Sequence, residues 1–196
     1  MERKELYYRL CADLSGTYIE IGTCWGGFAE FLLEFTGCTH LYCVDPYKKY
    51  EALEYFDALN TMTQDMFDQK FALVKDRLKK KYEERVSMLR EESVVAASHF
   101  KDNSLAFIYI DGNHMYHAVL NDLEAWYSKV QPGGILAGDD VESMDLPHDT
   151  NGNAFILHEE GKFGCYGVHK ALLDFQAKHP EFTFQLENGQ FYWRKI

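Results

Sequence analysis

Short apolar runs and helical stripes alternate along this chain, and the alternation predicts an α/β protein. Residues 18–21 read as a first strand. Phe28, Phe31, Leu32 and Phe35 then recur at i, i+3, i+4 and i+7, the spacing of a helix that lays one face on a sheet. Gly37 is placed to end that helix. Residues 41–44 read as a second strand, stopped at Asp45-Pro46. Residues 48–83 are helical in character and longer than one crossover helix, so part of them is a candidate cap over a pocket. A third strand is expected at 85–89 and a short helix at 93–99. The unbroken apolar run 105–110 suits a central parallel strand buried on both faces. Val119, Leu120, Leu123, Trp126, Tyr127 and Val130 form the next helical stripe, and a fifth strand follows the Pro132-Gly133-Gly134 turn at 135–137. Residues 138–164, rich in Gly, Asp, Asn and His, read as a long loop. A helix is expected at 168–178, then two strands, 182–186 and 190–194, around the hairpin signal Glu187-Asn188-Gly189. Residues 2–12 read as a short helix before the first strand. Alternating βαβ units that close on an antiparallel hairpin imply a doubly wound, mostly parallel sheet.

Composition narrows the class. A chain of 196 residues with 46% hydrophobic and 15% aromatic content is long enough for one well-packed domain. We expect a single domain over 1–196, which is also the size of a domain cut from a longer protein. The formal net charge of −11 disfavours a nucleic-acid partner, whose affinity rests on Lys and Arg neutralising phosphates. The basic run Lys79-Lys80-Lys81 is followed by Glu83-Glu84 and reads as a solvated helix face. Cys11, Cys24, Cys38, Cys43 and Cys165 form no C-x-x-C pair, so reduced thiols and a cytoplasmic setting are expected. No apolar run approaches the ~18 residues of a membrane span, so no membrane partner is expected. Nothing in the chain marks an oligomer interface.

The chemistry-bearing residues fall at predicted strand ends, where ligands bind in doubly wound sheets. The run Glu20-Ile21-Gly22-Thr23-Cys24-Trp25-Gly26-Gly27 reads as strand, glycine turn and helix start, with backbone N–H groups presented to a polar ligand. Its pattern is E-x-G-x-x-x-G-G, not the G-x-G-x-x-G of dinucleotide sites. Asp45 ends the second strand roughly 20 residues on, where a carboxylate takes ribose hydroxyls. Asp111 follows the fourth strand, and Asp139 and Asp140 follow the fifth. Three carboxylates on one rim repel unless a cation joins them, and oxygen ligands of this kind suit Mg²⁺ or Mn²⁺. His114, three residues after Asp111, has the intrinsic pKa of a general base. His148 and Asp149 in the long loop are candidates for substrate contact.

The glycine turn resembles motif I of class I S-adenosylmethionine (SAM) methyltransferases. The segment Ile110-Asp-Gly-Asn-His-Met-Tyr116, with Asp122-Leu-Glu124, Pro132-Gly-Gly134 and Asp139-Asp140, resembles the methyltransferase-24 and macrocin O-methyltransferase families. The likeness covers roughly residues 18–141. It implies a Rossmann-like, seven-stranded, mostly parallel sheet with a C-terminal antiparallel hairpin. It implies SAM held by Glu20, Gly22, Thr23, Trp25, Gly26, Asp45 and Asp111, with Glu20 near the methionine end and Glu92 and Ser93 where adenine lies. It implies a divalent cation on Asp111, Asp139 and Asp140, His114 as base, and methylation of a hydroxyl, often on a sugar. Catechol O-methyltransferases are more distantly similar; they carry Lys at the position of His114 and Asp-Asn at that of Asp139-Asp140. The expected activity is therefore metal-dependent O-methylation of a small-molecule or glycan acceptor. The alternatives are a catechol-type acceptor and a nucleotide-binding module without catalysis.

Overall fold

The apolar runs of the chain become the buried strands of one sheet. The structure, a computed structural model, describes residues 3–51, 54–56, 58–143, 145–157 and 163–196. Helix α1 (Arg3–Leu10) leads into β1 (Ser15–Ile21), α2 (Gly27–Phe35) and β2 (Gly37–Val44). Then come α3 (Gln64–Tyr82), β3 (Val86–Leu89), α4 (Ser93–Ala97), β4 (Leu105–Ile110), α5 (Tyr116–Trp126) and β5 (Val130–Gly138). The chain ends with β6 (Ala154–Leu157), β7 (Phe163–Tyr166), α6 (Val168–Lys178), β8 (Gln185–Glu187) and β9 (Gln190–Arg194). The sheet runs β3-β2-β1-β4-β5-β9-β8. Its first five strands are parallel, and β9 and β8 add antiparallel pairs. The order turns back between β1 and β4, which makes their C-terminal ends a topological switch point. β4 is buried at every position, as its unbroken apolar run predicts.

Two apolar layers cover the sheet. Tyr7, Phe28, Phe31, Leu32, Val74 and Leu78 bring α1, α2 and α3 onto one face. Ala96, Leu123, Trp126, Leu172 and Phe175 bring α4, α5 and α6 onto the other. Asn188 and Gly189 both adopt positive φ, 54° and 75°, in the turn between β8 and β9, the conformation that an Asn-Gly hairpin favours.

Three expectations are corrected. Residues 48–83 are not one helical excursion. The described part of 47–57 is irregular, a 3-10 turn spans Ala58–Thr61, and Thr63 then caps α3 by accepting the Met66 N–H at 3.3 Å. Asn60 organises the irregular stretch, accepting from the Tyr50 N–H and donating to the Tyr50 and Tyr55 carbonyls. Residues 138–164 are not all loop, because β6 and β7 pair there as a separate antiparallel ribbon. Gly37 is not a left-handed helix cap. It opens β2, where a Cβ would fall 1.9 Å from the Leu14 carbonyl oxygen.

Candidate active site

The C-terminal ends of β1, β2 and β4 open onto a cleft of about 1040 Å³ that reaches open solvent. Gly22, Asp45, Glu92, Ser93, Asp111 and Asp122 are among its lining residues. Asp45 is held rigidly. Its two carboxylate oxygens accept the backbone N–H groups of Cys24 and Tyr47, each at 2.8 Å. Burial pushes its pKa up, and those two N–H groups oppose the shift. Gly22 has φ +86°, and a Cβ there would lie 1.9 Å from the Asp111 carbonyl oxygen. Only glycine lets the end of β1 approach the end of β4 this closely.

Two buried oxygens at the turn, Glu20 Oε2 and Thr23 Oγ1, have no hydrogen-bond partner among the described residues. Burial, then the negative charge of Asp111, pushes the Glu20 carboxyl well above the usual range. An unpaired buried polar atom is costly, so the turn fits a polar ligand that would satisfy it. At the far wall, Glu92 accepts from the Tyr50 hydroxyl at 2.6 Å and pairs with Lys48 at 3.2 Å. Trp126 Nε1 donates to Ser93 Oγ at 2.8 Å. Asp122, beside Ser93, is 5% exposed, and burial pushes its pKa up to about 7.

Beyond Asp111 the cleft meets an acidic rim. Arg3 Nη1 lies 2.6 Å from Asp139 Oδ2 and 3.1 Å from Asp111 Oδ2. Burial works against its charge, but Tyr109, Asp111 and Asp139 outweigh it and hold the guanidinium above its ordinary range. Asp139 Oδ1 accepts from Gln190 Nε2 and, at 2.8 Å, from the Asp140 N–H. His114 lies between two carboxylates, with Nε2 3.5 Å from Asp111 Oδ1 and Nδ1 3.4 Å from Asp140 Oδ2. Nε2 is not aligned for a hydrogen bond. Burial opposes the charged ring, yet Asp111 and Asp140 overcome it and push the His114 pKa up to about 9. Burial also raises Asp111, against the pull of His114.

The expected residues are thus brought together in part. Gly22, Asp45, Glu92, Ser93 and Asp111 share one cleft, and Asp111, His114, Asp139 and Asp140 share one rim. Trp25 and Gly26 do not reach the cleft. Trp25 is 53% exposed, with the Lys70 ammonium 4.8 Å from its ring centre. Gly26 faces α3, and a Cβ there would meet Arg77 and Val74 at 3.1 Å. Two features of the rim bear on its expected chemistry. His114 lies between two carboxylates, which favour its charged form over the free imidazole that a general base needs. The three carboxylates do not form one metal cradle. Arg3 takes the point shared by Asp111 and Asp139, while Asp140 turns to His114. Among the described residues no group of three His, Cys, Asp or Glu is arranged to hold a metal ion. The residues therefore do not fit the expected ion as they stand. Of the two loop candidates, His148 Nε2 pairs with buried Glu142 at 3.1 Å, and Asp149 Oδ1 accepts the Asn151 and Asn153 N–H groups. Sequence reading missed Arg3 and Gln190, and took Asp122 only as part of the Asp122-Leu-Glu124 segment, not as a residue of the cleft. Asp122 alone carried a signal, an acidic residue on the apolar stripe of a helix.

A Rossmann-like sheet with a glycine turn after β1 and a carboxylate closing β2 is the frame of a nucleotide-cofactor site, and the family match makes it that of a SAM-dependent methyltransferase. Residues 19–141 match the methyltransferase-24 family, described as a methyltransferase domain, and the chain belongs to that family. It is 27% identical over 110 residues to the uncharacterized protein y4gI of Sinorhizobium fredii, covering 55% of this chain and 10% of that protein. It is 26% identical over 126 residues to the uncharacterized protein R132 of Acanthamoeba polyphaga mimivirus, covering 64% and 52%. The chain thus spans 10% and 52% of the lengths of these curated relatives. Among solved structures, the O-methyltransferase NovP is similar at TM-score 0.64 and 16% identity, over 99% of this chain and 79% of NovP. SMU.1697c of Streptococcus mutans, solved with SAH, is similar at 0.61 and 12%, over 100% and 99%. CalS11, a TDP-rhamnose 3'-O-methyltransferase, is similar at 0.58 and 14%, over 97% and 76%. Likeness at these identities shows the shared fold. No described helix is long and apolar enough to cross a membrane.

Proposed function

We propose that this chain transfers the methyl group of SAM to a hydroxyl of a small-molecule or glycan acceptor, with a deoxysugar as the first choice. The observation that carries this reading is the position of Asp111, which lines the cleft and anchors the acidic rim. When bound, SAM supplies an electrophilic methyl group on a sulfonium sulfur. Asp45 keeps lone pairs beyond those taken by Cys24 and Tyr47, and these would accept ribose hydroxyls. Glu92 and Ser93 would face adenine, and Gly22 and Glu20 the methionine portion. At the rim, the acceptor hydroxyl gives its proton to the carboxylate side of the Asp111–His114 pair. Burial gives Asp111 a higher proton affinity than an ordinary carboxylate, and His114 and Arg3 balance the charge. No step is assigned to a divalent cation. Positioning supplies much of the rate in such a transfer. Residues 1–196 act as one methyltransferase domain, capped by the irregular segment that Asn60 organises.

A second acceptor class is favoured by one observation. Tyr50 and Tyr55, which line the cleft, meet edge to face, so aromatic rings form a wall of it. Such a wall suits a flat phenolic acceptor. The test is S-adenosylhomocysteine formation from SAM across deoxysugar and catechol acceptors, with Mg²⁺, with Mn²⁺ and with EDTA. Turnover on a sugar supports the first reading, and turnover confined to catechols the second. Failure to bind SAM in calorimetry overturns both.

A further inference from the structure

The N-terminal helix does unexpected work at the rim. Arg3 and Tyr7 lie one turn apart on α1, so both face the same way. The Tyr7 hydroxyl, fully buried, donates to Gln190 Oε1 at 3.0 Å, and the Tyr109 hydroxyl donates to the same oxygen at 2.9 Å. With both donors on its carbonyl oxygen, the Gln190 amide is turned so that its NH₂ meets Asp139 Oδ1. Asp139 therefore presents Oδ2 to Arg3. The guanidinium carbon also lies 5.0 Å from the centre of the Phe28 ring, a cation–π contact.

A hard divalent ion needs several oxygen ligands at about 2.0–2.6 Å. Arg3 Nη1 already occupies the point that Asp111 Oδ2 and Asp139 Oδ2 have in common. The remaining oxygen of Asp139 accepts two N–H groups, and Asp140 pairs with the imidazole on the opposite side.

We propose that Arg3 is the resident cation of this site, standing where a divalent ion would bridge Asp111 and Asp139. Methyl transfer by this chain then proceeds without a divalent ion. Arg3 acts as a positioning residue: it joins two carboxylates that otherwise repel and holds Asp111 in the orientation that meets both cleft and acceptor. The catalytic half of this inference rests on the methyl-transfer reading; the ion-binding half does not.

The test titrates Mn²⁺ alone into the intact protein and follows free Mn²⁺ by electron paramagnetic resonance. Wild type, Arg3→Ala, Arg3→Gln, Arg3→Lys, Asp139→Asn and the double variant Arg3→Ala/Asp139→Asn are compared, each shown to be folded by circular dichroism. The expected result is no saturable site in wild type at millimolar Mn²⁺. Arg3→Ala and Arg3→Gln should each gain one site, at least tenfold tighter than any residual wild-type binding, and the double variant should lose it. Arg3→Lys, which keeps the charge, should behave as wild type. A wild-type Mn²⁺ site that Asp139→Asn removes, with an affinity that Arg3→Ala leaves unchanged, overturns the proposal. So does the absence of a gained site in both neutral variants. Because neither SAM nor an acceptor is present, these outcomes stand apart from any failure to find turnover. On an active acceptor, EDTA should change the rate by less than twofold.

Discussion

Asp122 offers the sharpest test of the electrostatics of the cleft. It is 5% exposed, on the inner face of α5, and its pKa rises from 3.8 to about 7, with burial as the main cause and Ser93 opposing it. A carboxyl that binds its proton more tightly when folded makes the native state hold more protons than the unfolded chain between those two values. Stability therefore falls as pH rises from about 4 to about 7 and then levels off. One pKa unit corresponds to about 1.4 kcal/mol, so the group should cost roughly 2–3 kcal/mol more at pH 8 than at pH 5. The perturbation is Asp122→Asn, which keeps shape and an acceptor for Ser93 but cannot ionise. For a chain of this size each kcal/mol moves the melting temperature by about 2–4 °C. The gap between variant and wild type should thus widen by roughly 5–10 °C from pH 5 to pH 8, in favour of the variant. Differential scanning calorimetry in matched buffers reads it, and comparing the two proteins cancels the other buried carboxyls. A gap that stays constant across that range would refute the reasoning.

Other expectations follow from the same geometry. Gly22→Ala sets a Cβ against the Asp111 carbonyl at positive φ, so chemical denaturation should show a loss of roughly 3 kcal/mol or more, and an unchanged midpoint would contradict the close approach of β1 and β4. Asp45→Asn puts an amide hydrogen against the Cys24 or Tyr47 N–H, and calorimetry should find S-adenosylhomocysteine bound at least tenfold more weakly, about 1.4 kcal/mol; equal affinity would remove Asp45 from the cofactor site. Tyr7→Phe removes one donor from Gln190 while Tyr109 remains, so stability should fall by only about 1 kcal/mol, and a loss several times larger would mean that the two hydroxyls do not share the load.

The parts of this molecule that were legible in its sequence share a physical cause. A parallel strand buried on both faces must be apolar throughout, so residues 105–110 announce β4 with its observed bounds. Asp45 and Asp111 were legible as cleft residues because the positions that open onto the strand ends follow such runs directly. The ribbon β6–β7 was not, because its turn-rich flanks and short strands leave too little alternation, though Ala154 is buried and Phe155 exposed. Arg3 was not legible for a deeper reason. Its partner Asp111 lies 108 positions away, and no local pattern records a pairing between a terminal helix and two strand ends. The carboxylate cluster was visible in the sequence and its pairing with Arg3 was not, so a metal was the natural expectation. Gly26 was read as ligand-facing because φ +73° and close packing against α3 call for the same residue type as a cofactor turn.

The Arg3–Asp139–Gln190 chain also bears on the order in which the molecule can become competent. Its members come from α1, the end of β5 and the start of β9, with separations of 136 and 51 residues. During synthesis from the N-terminus, α1 and β1 emerge long before the strand that orients Asp139. A nascent chain holding everything through β5 can form five parallel strands, yet it lacks the amide that steers Asp139 and the partner that receives the Tyr7 hydroxyl. Pairings this distant in sequence close late and slowly. The acidic rim is thus among the last features to mature, and a chain stalled before residue 190 would carry the cleft beside an unfinished rim.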